Sequence, residues 1–317
     1  MSNVPPRGVW APAVTWFDEK TDSLALDAQS RYFKYLASTG LAGLVVLGTN
    51  AETFLLTREE RKELVATARK AVGPDFPLMV GVGGHSTKQV LQFVSDAAEA
   101  GANSALVLPP AYFGAATTPQ VLENFFDQVA TEGALPIVMY NFPGVCNGVD
   151  LDSAFITKMA QRHEGKIVGV KLTCGSVAKI TRLAAVLPKE KFATFGGQSD
   201  FIIGGLASGS SGCIAAFANV FPRSIVRVYD LYQEGKFEEA LALHQKLALA
   251  EQPIKGGSGP TKYAVATHSA VEAGIEGAEA LLKPRRPYVG PADAVKEKVR
   301  SMMAEVSEIE KSLPLKK

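Results

Sequence analysis

Lys171 closes the run Ile167-Val168-Gly169-Val170-Lys171-Leu172, in which its neighbours are apolar. Such a run reads as a strand buried on both faces. An ammonium there must be paired or shed its proton, because burying an isolated charge is costly. A lysine with a lowered pKa is a nucleophile that can form a Schiff base with a ketone. The bland reading of the same position is a lysine that snorkels from the strand end to solvent. Tyr140, in Ile137-Val138-Met139-Tyr140, carries a phenol able to relay protons to an imine or hydroxyl, or to rest as a hydrogen-bonded core tyrosine. Thr49, in Gly48-Thr49-Asn50-Ala51-Glu52, has a hydroxyl that both donates and accepts and so can bridge two phenols. Thr49 and Asn50 are equally ordinary turn residues.

Other chemistries find less support. The four histidines (His85, His163, His244, His268) are widely spaced, with no HxH or HExxH, so no metal is expected. There is no GxSxG elbow for a Ser-His-Asp hydrolase. No GxGxxG follows the first strand, and no GxxxxGK[ST] occurs. Residues 256–262, Gly-Gly-Ser-Gly-Pro-Thr-Lys, resemble a phosphate loop superficially but follow no strand, and read as a helix–helix connection. Amine catalysis by a lysine, with no cofactor, is the chemistry left.

The elements that must position these residues recur as an apolar run followed by an amphipathic helical segment. Candidate strands are Gly8–Trp16, Gly43–Gly48, Leu78–Gly84, Ser104–Pro110, Ile137–Pro143, Ile167–Leu172, Phe192–Gly197 and Gly212–Asn219. Most are continuously apolar, as parallel strands are. Thr57-Arg58-Glu59-Glu60 is a capping box, Thr118-Pro119 opens a further helix, and Gly101 reads as a helix stop. Eight strand–helix units in about 220 residues fit an α/β fold, the (β/α)8 TIM barrel; a doubly wound sheet is the runner-up. Beyond Asn219 the pattern turns helical: Pro222–Gln233, Phe237–Glu251, Pro260–Ala273 and Pro291–Ser312. This divides the chain into a catalytic barrel over 1–233 and an appended C-terminal helical region over 234–317. The barrel rule places catalytic groups at the C-terminal ends of strands, where Thr49, Tyr112, Tyr140 and Lys171 all fall.

The chain of 317 residues is 47% hydrophobic and 21% charged, as globular proteins are, which excludes disorder and coiled coil as the main theme. Thirty-three Lys and Arg against 32 Asp and Glu leave no electrostatic footprint for nucleic acid or an anionic membrane. The uncharged stretch 201–221 is broken at its centre by Ala-Ser-Gly-Ser-Ser-Gly, so it reads as a short helix and a short strand rather than a membrane span. Three scattered cysteines (Cys146, Cys174, Cys213) form no disulfide framework. The N-terminus MSNVPPRGVW has neither an apolar signal region nor an Arg-rich amphipathic stretch, and the expectation is a cytoplasmic protein.

The four strand ends together resemble the dihydrodipicolinate synthase / N-acetylneuraminate lyase family of pyruvate-dependent class I aldolases. The likeness spans Arg7 to Leu249 and rests on GTNAE, PAY, YNFP and GVKLT in the family's order and approximate spacing. It implies that Lys171 forms the imine with pyruvate or the 2-oxo acid being cleaved, and that Tyr140 shuttles protons. It further implies that Thr49 links Tyr140 to Tyr112, which in the family reaches in from a neighbouring subunit. A homodimer or homotetramer follows from that crossing. The backbone at Gly48, Thr49 and Asn50 would hold the pyruvate carboxylate, and Gly197 and Ile214 would line the floor.

The departures bear on the substrate. Dihydrodipicolinate synthases have Thr-Thr at Thr49-Asn50, an Arg at Val145 to hold the carboxylate of aspartate semialdehyde, and commonly Glu at Leu172. A valine cannot pair with a carboxylate, and losing a bidentate Arg contact costs a few kcal/mol. The hydroxyl-Asn pair is closer to 4-hydroxy-2-oxoglutarate aldolases and to 2-keto-3-deoxy sugar acid aldolases. Uncharged Val145 and Leu172 suit a neutral aldehyde better than glyoxylate, with Asn147 and Thr173 expected near its hydroxyls. The alternatives are dihydrodipicolinate synthase itself, and a barrel that binds a 2-oxo acid without turning it over.

Overall fold

The computed structural model describes residues 3–316; Met1, Ser2 and Lys317, the first two part of the N-terminal stretch read above, lie outside the described residues. Eight parallel strands pair in chain order: β1 (Gly8–Pro12), β2 (Gly43–Val46), β3 (Leu78–Gly81), β4 (Ser104–Val107), β5 (Ile137–Asn141), β6 (Ile167–Leu172), β7 (Ala193–Gly196) and β8 (Gly212–Ile214). The last strand pairs back onto the first, which closes the barrel and removes sheet edges. Continuous apolar runs are explained by two-sided burial. On β5, Val138 and Tyr140 point into the barrel interior beside Trp10, Phe195 and Ile214, while Ile137 and Met139 pack outward against the helices.

Each strand begins within a residue of its expected start, but most end earlier than the apolar run does. The chain leaves the ladder at the rim, where Leu47 takes a left-handed φ of 61°. The Leu47 carbonyl crosses so close to Gly81 that a Cβ there would stand 2.0 Å from its oxygen, which only glycine tolerates. The rim residues Thr49, Tyr112 and Thr173 therefore lie on loops rather than strands.

The outer ring comprises α1 (Leu26–Ala37), α2 (Arg58–Val72), α3 (Thr87–Glu99), α4 (Pro119–Glu132), α5 (Ser153–Arg162), α6 (Val177–Val186), α7 (Ile202–Ala207) and α8 (Pro222–Gln233). The capping box at Thr57 and Glu60 is formed, Thr118 caps α4 ahead of Pro119, and Gly101 follows α3 with a φ of 89°. The uncharged stretch divides into α7 and β8, and no described helix is long and apolar enough to cross a membrane.

Five further helices follow: α9 (Phe237–Glu251), α10 (Ser258–Thr267), α11 (Ser269–Glu272), α12 (Ala278–Leu281) and α13 (Asp293–Ser312). Their Leu247, Ala264 and Val299 belong to the same hydrophobic cluster as the barrel's outer side chains. Residues 256–262 are only in part the expected connection, because α10 already starts at Ser258. Lys262 within it is completely buried. Its ammonium lies 3.0 Å from Glu52, donates to the Lys283 carbonyl at 3.0 Å and sits 4.5 Å from the Phe17 ring centre. These partners offset the cost of burying the charge.

Candidate active site

Register places the reactive pair side by side: Tyr140 on β5 pairs directly with Lys171 on β6. Adjacent parallel strands send paired residues to the same face, so both side chains enter the barrel mouth. Lys171 is 2% exposed, and its Nζ donates to the Tyr140 hydroxyl at 3.2 Å while lying 4.3 Å from the ring centre. The pairing required of a buried lysine is thus supplied by a phenol and its π-face; the lysine does not snorkel to solvent. The Thr49 hydroxyl stands 3.4 Å from the same phenolic oxygen, so Lys171, Tyr140 and Thr49 form one polar chain.

These three residues open onto a cavity of about 240 Å³. Asn50, Val145, Thr173 and Gly197 line it as expected. Gly197 leaves room for its neighbour: a Cβ there would meet Thr173 Oγ1 at 2.1 Å. Thr173 Oγ1 is itself buried without a hydrogen-bond partner.

Four expectations are corrected by the geometry. Tyr112 is 72% exposed and packs on His85 and Phe113, outside the Lys171 cavity, so within one chain Thr49 reaches Tyr140 alone. The chain after β4 carries it outward along the rim. Asn147 donates its amide to the Ala111 carbonyl at 2.6 Å, held there by a left-handed φ of 49°, and does not line the cavity. Ile214 lies in the barrel interior and is not in the cavity wall, because β8 ends there and Ala216 takes the lining position. Gly48 is buried at the base of the Thr49 turn and likewise does not reach the cavity.

The sequence reading missed one wall. Gln198, Glu251, Lys255 and Ser258 line the same cavity, three of them from beyond the barrel. Glu251 is 2% exposed; burial raises its carboxyl pKa, opposed by Lys255 and by the Ser199 hydroxyl that donates to it. The sole sequence signal was an acid ending the apolar run Leu-Ala-Leu-Ala in α9. Glu52 was also missed. Its carboxylate accepts from the Arg285 backbone at 2.8 Å and makes a charge contact, not an aligned hydrogen bond, with Lys262. Burial lowers the Lys262 pKa to about 8. Burial raises the thiol pKa values of Cys146 (to about 11) and Cys213, which makes both poor nucleophiles. Among the described residues no group of three His, Cys, Asp or Glu is placed to hold a metal.

Comparison with known proteins agrees with this layout. The model of the Dihydrodipicolinate synthetase family matches residues 5–305. A protein of Coccidioides immitis (strain RS), named "Putative 4-hydroxy-2-oxoglutarate aldolase, mitochondrial", is 63% identical over 98% of both chains. An L-threo-3-deoxy-hexylosonate aldolase of Hypocrea jecorina is 35% identical, covering 97% of this chain and 98% of the relative. Crystal structures of "a putative dihydrodipicolinate synthase family protein" from Coccidioides immitis superpose with a TM-score of 0.93 at 60% identity, covering 98% of this chain and 99% of that one. The expected cytoplasmic location is overturned by the mitochondrial designation of the 63% identical relative. The N-terminal residues carry no feature that reveals it.

Proposed function

The chain belongs to the dihydrodipicolinate synthetase family, and from that premise we propose a pyruvate-dependent class I aldolase that cleaves or forms 2-keto-3-deoxy acids. The observation that carries the residue roles is the Lys171 ammonium, buried at the cavity floor 3.2 Å from the Tyr140 hydroxyl. In this reading Lys171, as the free amine, attacks the C2 carbonyl of the 2-oxo acid, and loss of water leaves a protonated imine. That iminium is the electron sink, so no cofactor is called for. Tyr140 moves protons to and from the departing C2 oxygen, then takes the proton from the C4 hydroxyl. The C3–C4 bond breaks, the aldehyde departs, and its electron pair forms the enamine on Lys171. Protonation at C3 and hydrolysis return pyruvate and the lysine. Thr49 orients the Tyr140 hydroxyl, and the backbone of Thr49 and Asn50 holds the carboxylate.

The test is borohydride reduction in the presence of pyruvate, followed by peptide mass mapping. One lysine, Lys171, gains about 72 Da as the reduced pyruvyl adduct. Absence of any adduct sinks the Schiff-base reading. An adduct without turnover on any 2-keto-3-deoxy acid replaces it with a non-catalytic 2-oxo-acid binder.

We further propose that the working protein is a homodimer or homotetramer. Phe54, Tyr112 and Phe113, all more than half exposed, form with His85 an aromatic patch on the rim beside a second cavity of about 340 Å³. Exposed aromatic patches of this kind are covered in assemblies.

A further inference from the structure

The cavity wall contributed from beyond the barrel bears on which aldehyde half the site accepts. Resting on the aldolase reading above, we infer that Glu251, Lys255 and the loop after β7 form the subsite for the tail of the substrate, and that this subsite takes an uncharged polyhydroxylated tail and rejects a second carboxylate. The substrate class is then a 2-keto-3-deoxy sugar acid rather than a 2-oxo diacid.

The inference rests on how Lys255 is used. The charged side chains lining the cavity are Lys171, Glu251 and Lys255. Lys171 is consumed by the imine, so a tail carboxylate would have Lys255 as its cation. That ammonium already has three acceptors for its three hydrogens: the Gln198 side-chain oxygen, Asp200 Oδ2 at 2.8 Å and Glu251 Oε1 at 3.0 Å. With Asp200 ionised, the group of Lys255, Asp200 and Glu251 is neutral when Glu251 is protonated and singly negative when it is ionised. In neither state is there a surplus positive charge to hold a carboxylate. A carboxylate brought here would lose water and face Glu251 and Asp200.

Hydroxyl groups meet a different environment. The Glu251 carboxylate and the Gln198 oxygen offer lone pairs, and Thr173 Oγ1 is buried without a partner in the same wall. A hydroxyl both donates and accepts, so a polyol satisfies such a mixed set where a carboxylate, acceptor only, cannot. Thr49–Asn50 and Gln198 follow β2 and β7, which are not neighbours in the barrel, so they form different walls of the cavity. A chain anchored by its carboxylate at the first wall and its C2 at Lys171 can thus extend its tail to the second.

The experiment compares kcat/KM for a 2-keto-3-deoxy-hexonate and for 4-hydroxy-2-oxoglutarate in the wild type, Glu251→Gln and Asp200→Asn. The wild type is expected to favour the sugar acid by about tenfold or more, equivalent to about 1.4 kcal/mol. Removing one negative charge in either variant should improve the diacid relative to the sugar acid by about tenfold. A wild type that prefers the diacid overturns the inference, as do variants that change both substrates by the same factor, the mark of a purely structural role. Should the buried Glu251→Gln fail to fold, Asp200→Asn at a half-buried position tests the same charge effect. Borohydride trapping of pyruvate in each protein reports separately on the Lys171 chemistry.

Discussion

Lys171, Tyr140 and Thr49 act as a unit, because each makes its polar contact with the next and Tyr140 stands between the other two. Lys171→Ala is expected to abolish the borohydride-trapped adduct and turnover together; near-wild-type activity in this variant would refute the assignment. Tyr140→Phe keeps the ring against which the ammonium packs and removes only the hydroxyl. Turnover should fall by about 10²-fold or more while pyruvate binding, followed by adduct formation at saturating pyruvate, is largely retained. A drop confined to KM would instead mean that the phenol binds rather than relays. Lys262 carries a residue-scale prediction of another kind. Its pKa in the fold is about 8, below its ordinary 10.5, so between these values the unfolded chain holds the proton more tightly. Its burial therefore costs stability most fully below pH 8, and that cost is relieved as pH rises above it, by up to about 1 kcal/mol per pH unit. Urea midpoints at pH 7.5 and 9 should show this gain in the wild type and not in Lys262→Met.

At the scale of elements, α10 sets the position of the turn after β2. Lys262 and Glu52 are buried together, and Glu52 holds a left-handed backbone (φ 58°) at the end of the Thr49–Ala51 turn. Removing one partner leaves the other charge buried and alone. Lys262→Met should cost about 3 kcal/mol of unfolding free energy, and the double variant Glu52→Gln/Lys262→Met should recover most of it. Denaturant melts of the four proteins in the cycle read this coupling; simple additivity would mean that the pair does not interact. The element pattern itself was largely legible in the chain. All eight strands start where continuous apolar runs begin, since two-sided burial leaves no polar position to confuse the period. Their ends were less legible, because the apolar run continues into rim loops that line the cavity and so stay apolar after the ladder stops.

For the whole molecule, a single hydrophobic cluster runs from the barrel's outer faces into the C-terminal helices, and one wall of the cavity comes from that region. The aromatic rim patch is the surface that assembly would cover. Tyr112→Ala is expected to shift the mass measured by light scattering toward the monomer and to lower activity; unchanged mass with full activity would remove Tyr112 from both the interface and the site.

The order of apolar runs and helix caps determined the barrel, and the strand-end rule singled out Lys171 and Tyr140, because backbone periodicity and burial cost are properties of adjacent residues. Tertiary structure alone decided what shares a cavity with them. Tyr112 and Asn147 turn away from Lys171, while Glu251 and Lys255, some 80 positions along the chain, face it. Neither outcome leaves a periodic trace, since a side chain's direction on a loop depends on backbone angles such as the left-handed φ of Asn147. The meeting of Glu251 with Ser199 or of Lys262 with Glu52 depends on how α9 and α10 pack onto the barrel. Those packing forces are non-directional and summed over the whole core, so no local segment encodes them.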